Sequence, residues 1–225
     1  MIDKSVIASL NRLKKLGFNP SSILDIGAHH GFWSLSSMYV YPKADYTLIE
    51  PIKYKELEHH CSQLPNFNLK NLLLLNTTKK VDWYEKKNTG DSIFKEKTNH
   101  FAGCEPLKKE TTFLDNEFKE NTKFDLIKID CQGAEIPILV GGLCLIERTE
   151  VIILELPFAG QYNEGVLSFV EHIDFMKEIG FIPFDISAVH RLPTNNVVHQ
   201  ADFVFVKNNS SMIKKFQKVI DEQGK

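Results

Sequence analysis

Two acids stand where chemistry could be done. Asp130 closes the apolar run FDLIKID (124–130), and Glu155 lies near the end of VIILELP (151–157). If these runs are neighbouring parallel strands, both carboxylates project to one sheet edge. A carboxylate pair there can serve as base and orienting partner for a hydroxyl that must lose its proton. The same pair could hold a hard divalent cation, Mg²⁺ or Mn²⁺, that lowers the pKa of a bound hydroxyl. His190 and His199 flank the turn-rich stretch SAVHRLPTNNVVHQ (187–200). Either imidazole suits a proton acceptor at neutral pH, or simply faces solvent. His199 joins Asp130 and Glu155 as a candidate catalytic residue.

A second constellation lies nearer the start, in SILDIGAHHGFWSL, Ser22 to Leu35. A short apolar strand runs into an acid, then two glycines four positions apart, then a helical pattern. In an open α/β sheet such a turn lies at the carboxyl edge of the strands, where ligands bind. Gly27 would let the backbone approach a ligand closely, so a larger side chain there should block the ligand and spare the fold. Gly31 would admit tight packing at the helix start, where free N–H groups attract negative charge. The spacing D-x-G-x-x-x-G lacks the three-glycine run that cradles a pyrophosphate, so a smaller cofactor is expected. The second strand ends in TLIEP, and Glu50 there can accept hydrogen bonds from both hydroxyls of a ribose. Together the two motifs point to S-adenosylmethionine, with Asp25, Gly27, Ala28, His29, Gly31, Glu50 and Pro51 as candidate contacts. Asn76 is a candidate for the adenine edge, or a plain turn asparagine. His29 reads as loop packing or cofactor contact and His30 as exposed, while Phe32 and Trp33 anchor the first helix of the turn in the core.

The elements that position these residues follow from periodicity. Ile2, Val6, Leu10, Leu13 and Leu16 recur at helical spacing before Gly17, which predicts an amphipathic cap helix within 1–20. Seven strand candidates follow: SILDIGA, DYTLIE, NLKNLLLL (68–75), FDLIKID, VIILELP, FIPFDI and ADFVFVK. Their alternation with helical stretches predicts an α/β fold, a mostly parallel seven-stranded sheet with helices on both faces. The last two strands lack a helix between them and should pair as an antiparallel hairpin, with 187–200 as a loop facing the acceptor. Residues 76–123 read as a small β excursion and a short helix. All of 1–225 is expected to form one domain.

With 43% apolar residues and a formal charge of −2, the chain can fill a core and lacks a basic stripe. Nucleic acid is therefore an unlikely partner on charge grounds. Cys61, Cys104, Cys131 and Cys144 show no metal-binding spacing, and no secretory leader is read ahead of them, so reduced thiols and a cytoplasmic location are expected. The longest apolar run, Val151 to Phe158, falls far short of the ~20 residues of a membrane helix, and no membrane partner is expected.

The most specific stretch is FDLIKIDCQGAEIPILVGG, Phe124 to Gly142. It resembles the FkbM-type methyltransferases, whose pattern is close to K-I-D-x-E-G-x-E followed by an apolar helix. The resemblance extends through DIGAHHGFWS, LIEP, TTFLD and VIILEL, roughly Ser22 to Pro157. His29 stands where the family commonly has Asn, and Gln132 where it commonly has Glu, which removes a charge near the presumed acceptor. Glu135 reads as a helix-dipole acid or salt-bridge partner, or by resemblance as an acid that orders the site. The resemblance implies a Rossmann-like class I methyltransferase fold and an S-adenosylmethionine-dependent O-methyltransferase acting on a sugar or glycan hydroxyl. Alternatives are a natural-product hydroxyl, RNA, with Trp83 and Tyr84 as a stacking surface, or a degenerate member that binds cofactor without turnover. Oligomeric state is not assigned.

Overall fold

Apolar runs flanked by turn residues commit the central strands to the middle of a sheet covered on both faces. The computed structural model describes residues 2–158 and 163–223. In chain order the elements are α1 (Lys4–Lys15), β1 (Ser22–Ile26), α2 (Phe32–Met38), β2 (Asp45–Ile49), α3 (Lys55–Gln63), β3 (Phe67–Lys70), β4 (Lys80–Trp83) and β5 (Leu107–Glu110). Then come α4 (Leu114–Glu117), β6 (Leu126–Ile129), α5 (Glu135–Val140), α6 (Leu143–Ile146), β7 (Val151–Pro157), α7 (Phe169–Glu178), β8 (Phe181–Arg191), β9 (Val198–Lys207) and α8 (Ser211–Gln223).

Seven strands form one sheet in the order β3-β2-β1-β6-β7-β9-β8. Neighbours from β3 to β7 run parallel, whereas β9 is antiparallel to both β7 and β8. The chain winds outward from β1 in one direction, then restarts at β6 in the other, which leaves a crevice at the carboxyl ends of β1 and β6. Side-chain alternation divides the core: Ile23, Tyr46, Leu48, Ile153 and Val204 pack on one face, and Leu24, Ile127, Leu139, Leu154 and Phe205 on the other. The cap helix α1 starts at Asp3, whose carboxylate accepts from the Ser5 amide at 2.7 Å, and docks on β8 and α2.

The sheet, its final hairpin and the small antiparallel β4–β5 ribbon agree with the sequence pattern. Three local expectations do not. The third strand ends at Lys70 instead of Leu75, because its partner β2 ends at Ile49; the chain beyond bonds instead through the Leu75 amide to Thr112 O. Most of 187–200 is strand, since β8 continues to Arg191 and β9 begins at Val198. Register shifts at Pro183/Asp185, Ile186/Ala188 and His190/Arg191 break the period-2 alternation that would have revealed it. Phe32 is not a core anchor: it is 39% exposed, while Trp33 is buried.

Candidate functional site

The carboxyl ends of β1, β2, β6 and β7 open onto a cavity of about 1240 Å³. The turn after β1, residues 50–52 after β2 and residues 130–132 after β6 line it, with Glu155 on β7 and His190, His199, Gln200 and Asp202 on the hairpin.

The turn after β1 is a rigid frame. The Gly27 and Ala28 amides both donate to Ile49 O, at 2.9 and 3.1 Å, the His29 amide to Glu50 Oε2 at 2.9 Å, and the Gly31 amide to Ala28 O at 2.7 Å. These four N–H groups are therefore committed within the protein. Gly27 has φ +78°, and a Cβ on it would lie 1.9 Å from Asp130 O and 3.1 Å from Cys131 Sγ. The glycine is demanded first by the end of β6, a correction to its role as a ligand contact alone. Gly31, at φ +79°, would place a Cβ 3.0 Å from Leu57 Cδ1, so it does admit close helix packing. Asp25 is fully buried and absent from the cavity wall; it accepts from Ser34 Oγ at 2.6 Å and so ties α2 to β1. His29 lines the wall, with burial and neighbouring His30 lowering its pKa to about 4. His30 is half-buried, its ring tilted against Tyr54 at 4.6 Å and its Nδ1 3.6 Å from Glu56, rather than exposed.

Glu50 is 6% exposed and faces the cavity. Its two oxygens accept from the His29 amide and from the Ile52 amide, at 2.9 and 3.0 Å. Burial nonetheless pushes its pKa up to about 7. Ala28 and Pro51 line the same cavity, but Asn76 does not: it is exposed beyond Leu75, beside Gly141 at the end of α5. Leu72, Leu73 and Leu74 form the wall where Asn76 was expected.

The acid pair is brought together. Lys128 and Asp130 point to the same side of β6 and its extension, two residues apart, and Lys128 Nζ lies 2.8 Å from Asp130 Oδ2. Gln132 Nε2 bridges the carboxyls, 3.2 Å from Asp130 Oδ1 and 2.7 Å from Glu155 Oε2. Burial opposes charge on Asp130, but the Lys128 ammonium outweighs it and holds the carboxyl below the ordinary range. Burial and the Asp130 charge drive Glu155 well above it. The same surroundings thus push the two acids apart, Asp130 toward its charged form and Glu155 toward its neutral one. The bridging amide depends on backbone at φ +52° for Gln132, and Glu135 braces that turn by accepting from the Cys131 and Gly133 amides at 2.9 and 3.3 Å. Glu135 is 1% exposed, with burial raising its pKa to about 7.

Across the hairpin, Glu155 on β7 stands opposite Asp202 on β9. His190 Nε2 lies 3.8 Å from Glu155 Oε1 and 3.6 Å from Asp202 Oδ1. His199 lines the cavity, with Nδ1 buried and without a protein hydrogen bond. Sequence reasoning missed Lys128, Asp202 and Gln200. A lysine inside LIKI and an acid inside ADFVFVK were the available signals, since a charge within a buried strand needs a partner. Trp83, offered as a stacking surface, is 5% exposed, and its Nε1 donates to Glu85 at 2.9 Å. Among the described residues no helix is long and apolar enough to cross a membrane.

Residues 25–183 match the family described as methyltransferase FkbM domain. No curated protein sequence matches the chain. Among solved structures, an FkbM methyltransferase from Methylobacillus flagellatus KT superposes with a TM-score of 0.58 at 12% identity, over 90% of this chain and 48% of that one. The chain thus spans about half the length of that protein. A 1,6-didemethyltoxoflavin-N1-methyltransferase from Burkholderia thailandensis, solved with S-adenosylhomocysteine, gives 0.52 at 11% identity over 92% and 80% of the two chains. Magnesium protoporphyrin IX methyltransferase from Synechocystis PCC 6803 gives 0.50 at 12% identity over 90% and 76%. At these identities the likeness is one of fold, the Rossmann-like class I methyltransferase fold.

Proposed function

This chain belongs to the FkbM methyltransferase family, and from that premise we propose that it moves the methyl group of S-adenosylmethionine to a hydroxyl of a sugar or glycan. The observation that carries the O-methylation is the acid pair at the cavity wall, Asp130 beside the Lys128 ammonium and Glu155 across from it, bridged by Gln132. A hydroxyl acceptor must shed its proton as the new O–C bond forms, and an ionised carboxylate at hand takes it. Glu155 is the orienting partner, and His199 and Gln200 add polar groups on the same wall. The sugar class rests on the family resemblance and agrees with this density of hydrogen-bonding groups.

The donor set fits the cofactor. Glu50 is a buried carboxylate facing the cavity, held by backbone amides alone and flanked by Ile49 and Ile52, which suits a ribose diol with an apolar base alongside. His29 Nε2 is buried on the same wall without a hydrogen bond. When bound, the cofactor supplies an electrophilic methyl group; the protein's task is to align the acceptor oxygen with it, mainly a matter of positioning. The Asp130–Glu155 pair is a poor cation seat by itself, because Lys128 and Gln132 occupy both Asp130 oxygens.

S-adenosylhomocysteine should raise the melting temperature, since a ligand that binds only the native state stabilises it by mass action. Glu50→Ala should weaken that binding by about 1–3 kcal/mol through the loss of hydrogen bonds to a charged acceptor. No thermal shift at millimolar ligand removes the cofactor assignment. The pH dependence has a defined sign. Ribose hydroxyls donate best to ionised Glu50, whose pKa is near 7, so binding releases a proton below that value. Affinity should rise with pH by up to about tenfold per unit below 7 and level off above it. Calorimetry on Glu50→Gln should find this dependence gone; an unchanged profile places the titration elsewhere.

The acceptor is tested with labelled S-adenosylmethionine and a panel of mono- and oligosaccharides, products being mapped by mass spectrometry and NMR. Methyl ethers on a sugar ring are the expected result; label found only on nitrogen or carbon overturns the O-methylation, and label found only on RNA overturns the glycan acceptor.

A further inference from the structure

The register of the antiparallel β7–β9 pair sets Glu155 directly opposite Asp202. Two acids in that relation repel when both ionise, and here both side chains are nearly buried, 10% and 9% exposed. Gln132 and Gln200 both donate to Glu155 Oε2, at 2.7 and 3.0 Å, which leaves Oε1 turned toward His190. Asp202 is 6% exposed as a residue, and its Oδ1 is buried with no hydrogen-bond partner. His190 Nε2 is 3.6 Å from that oxygen and 3.8 Å from Glu155 Oε1, too far for a hydrogen bond to either. The buried ammonium of Lys128 is engaged by Asp130 at 2.8 Å.

One ligand atom from each of Glu155, His190 and Asp202 lies within 4.8 Å of the other two. A cation with bonds of about 2.1–2.3 Å holds its donors about 3–4.6 Å apart, a span that includes the 3.8 and 3.6 Å from His190 Nε2 to the two carboxylates. We propose that Glu155, His190 and Asp202 form a binding site for one hard divalent cation of the Mn²⁺ or Mg²⁺ class at the acceptor end of the cavity. Two carboxylate oxygens and one imidazole suit that class better than a thiophilic metal. All three residues line the cavity, so the open coordination positions face it. Resting on the methyltransferase reading, the site narrows the acceptor to one with two adjacent oxygens, such as a vicinal diol, chelated with one hydroxyl acidified beside Asp130.

The probe is Mn²⁺, titrated into the purified full-length chain after chelator treatment and desalting, with loss of the free-ion signal followed by electron paramagnetic resonance. One Mn²⁺ per chain is expected, displaced by excess Mg²⁺. Asp202→Asn and His190→Ala should each weaken it at least about tenfold, since even groups behind a metal ligand alter affinity that much. Both variants should keep the S-adenosylhomocysteine thermal shift, which reports an intact fold independently of the metal. Absent Mn²⁺ binding at millimolar concentration, or binding indifferent to both substitutions, overturns the cation site. An S-adenosylhomocysteine shift without Mn²⁺ binding defeats the site and leaves the methyltransferase reading standing. Specific Mn²⁺ binding with no such shift supports the site and defeats the cofactor assignment.

Discussion

Asp130→Asn should bind S-adenosylhomocysteine as the wild type does and turn over an identified acceptor about 10²–10⁴-fold more slowly. The substitution removes the proton acceptor and nearly preserves shape. Its amide oxygen can still accept from Lys128, which is 5% exposed and otherwise loses its nearest counter-ion. A stability loss of about 1–3 kcal/mol is expected from weakening that contact, and a thermal melt separates it from the loss of turnover. The pH profile adds a second check. Asp130 is held below the ordinary carboxylate range, so with S-adenosylmethionine saturating, the acid limb of kcat/KM for the acceptor should lie below that of an ordinary carboxylate. Above that limb the base is ionised. Near-wild-type turnover by Asp130→Asn removes this residue from the chemistry, with or without a bound cation.

The sheet was legible because its signals are local: apolar runs of strand length separated by helical periodicity predict both the number of strands and the final hairpin. Glu50, Asp130 and Glu155 were legible for the same reason, each at a strand end that must face the crevice. What escaped was set by register. Nothing local to ADFVFVK says that Asp202 will stand opposite Glu155; that follows from how β9 aligns on β7. Bulges concealed the extension of β8 beyond FIPFDI in the same way, so His190 looked like a loop histidine although two irregular steps carry the strand on to it. Gln132 reads in sequence as a lost charge. In space its amide holds two carboxyls together, where a third acid would add to their repulsion. Asp115 of the TTFLD element, given no task in advance, accepts from the Cys144 and Leu145 amides and caps α6.

The two glycines of the opening turn should separate, although both have positive φ near 80° and lie four residues apart. An alanine at Gly31 meets a methyl group of Leu57 at 3.0 Å, the end of a side chain that can yield. The left-handed backbone adds about 1–2 kcal/mol, so Gly31→Ala should lower the melting temperature by about 2–8 °C and retain cofactor binding. An alanine at Gly27 meets the Asp130 carbonyl at 1.9 Å, and that oxygen belongs to backbone at the end of β6, which has no rotamer to change. Relief requires the carboxyl ends of β1 and β6 to part, which displaces Ile26 and Asp130 together and breaks the Asp130 amide bond to Ile26 O, 3.0 Å long. Gly27→Ala should therefore cost more than about 4 kcal/mol, a fall of about 10 °C or more, and lose S-adenosylhomocysteine binding along with stability. The sequence alone suggests the opposite outcome at Gly27, a blocked ligand on an intact fold. Circular dichroism melts of the two variants decide between them: a Gly27→Ala protein as stable as Gly31→Ala would mean that the strand ends are not packed as tightly as this turn requires.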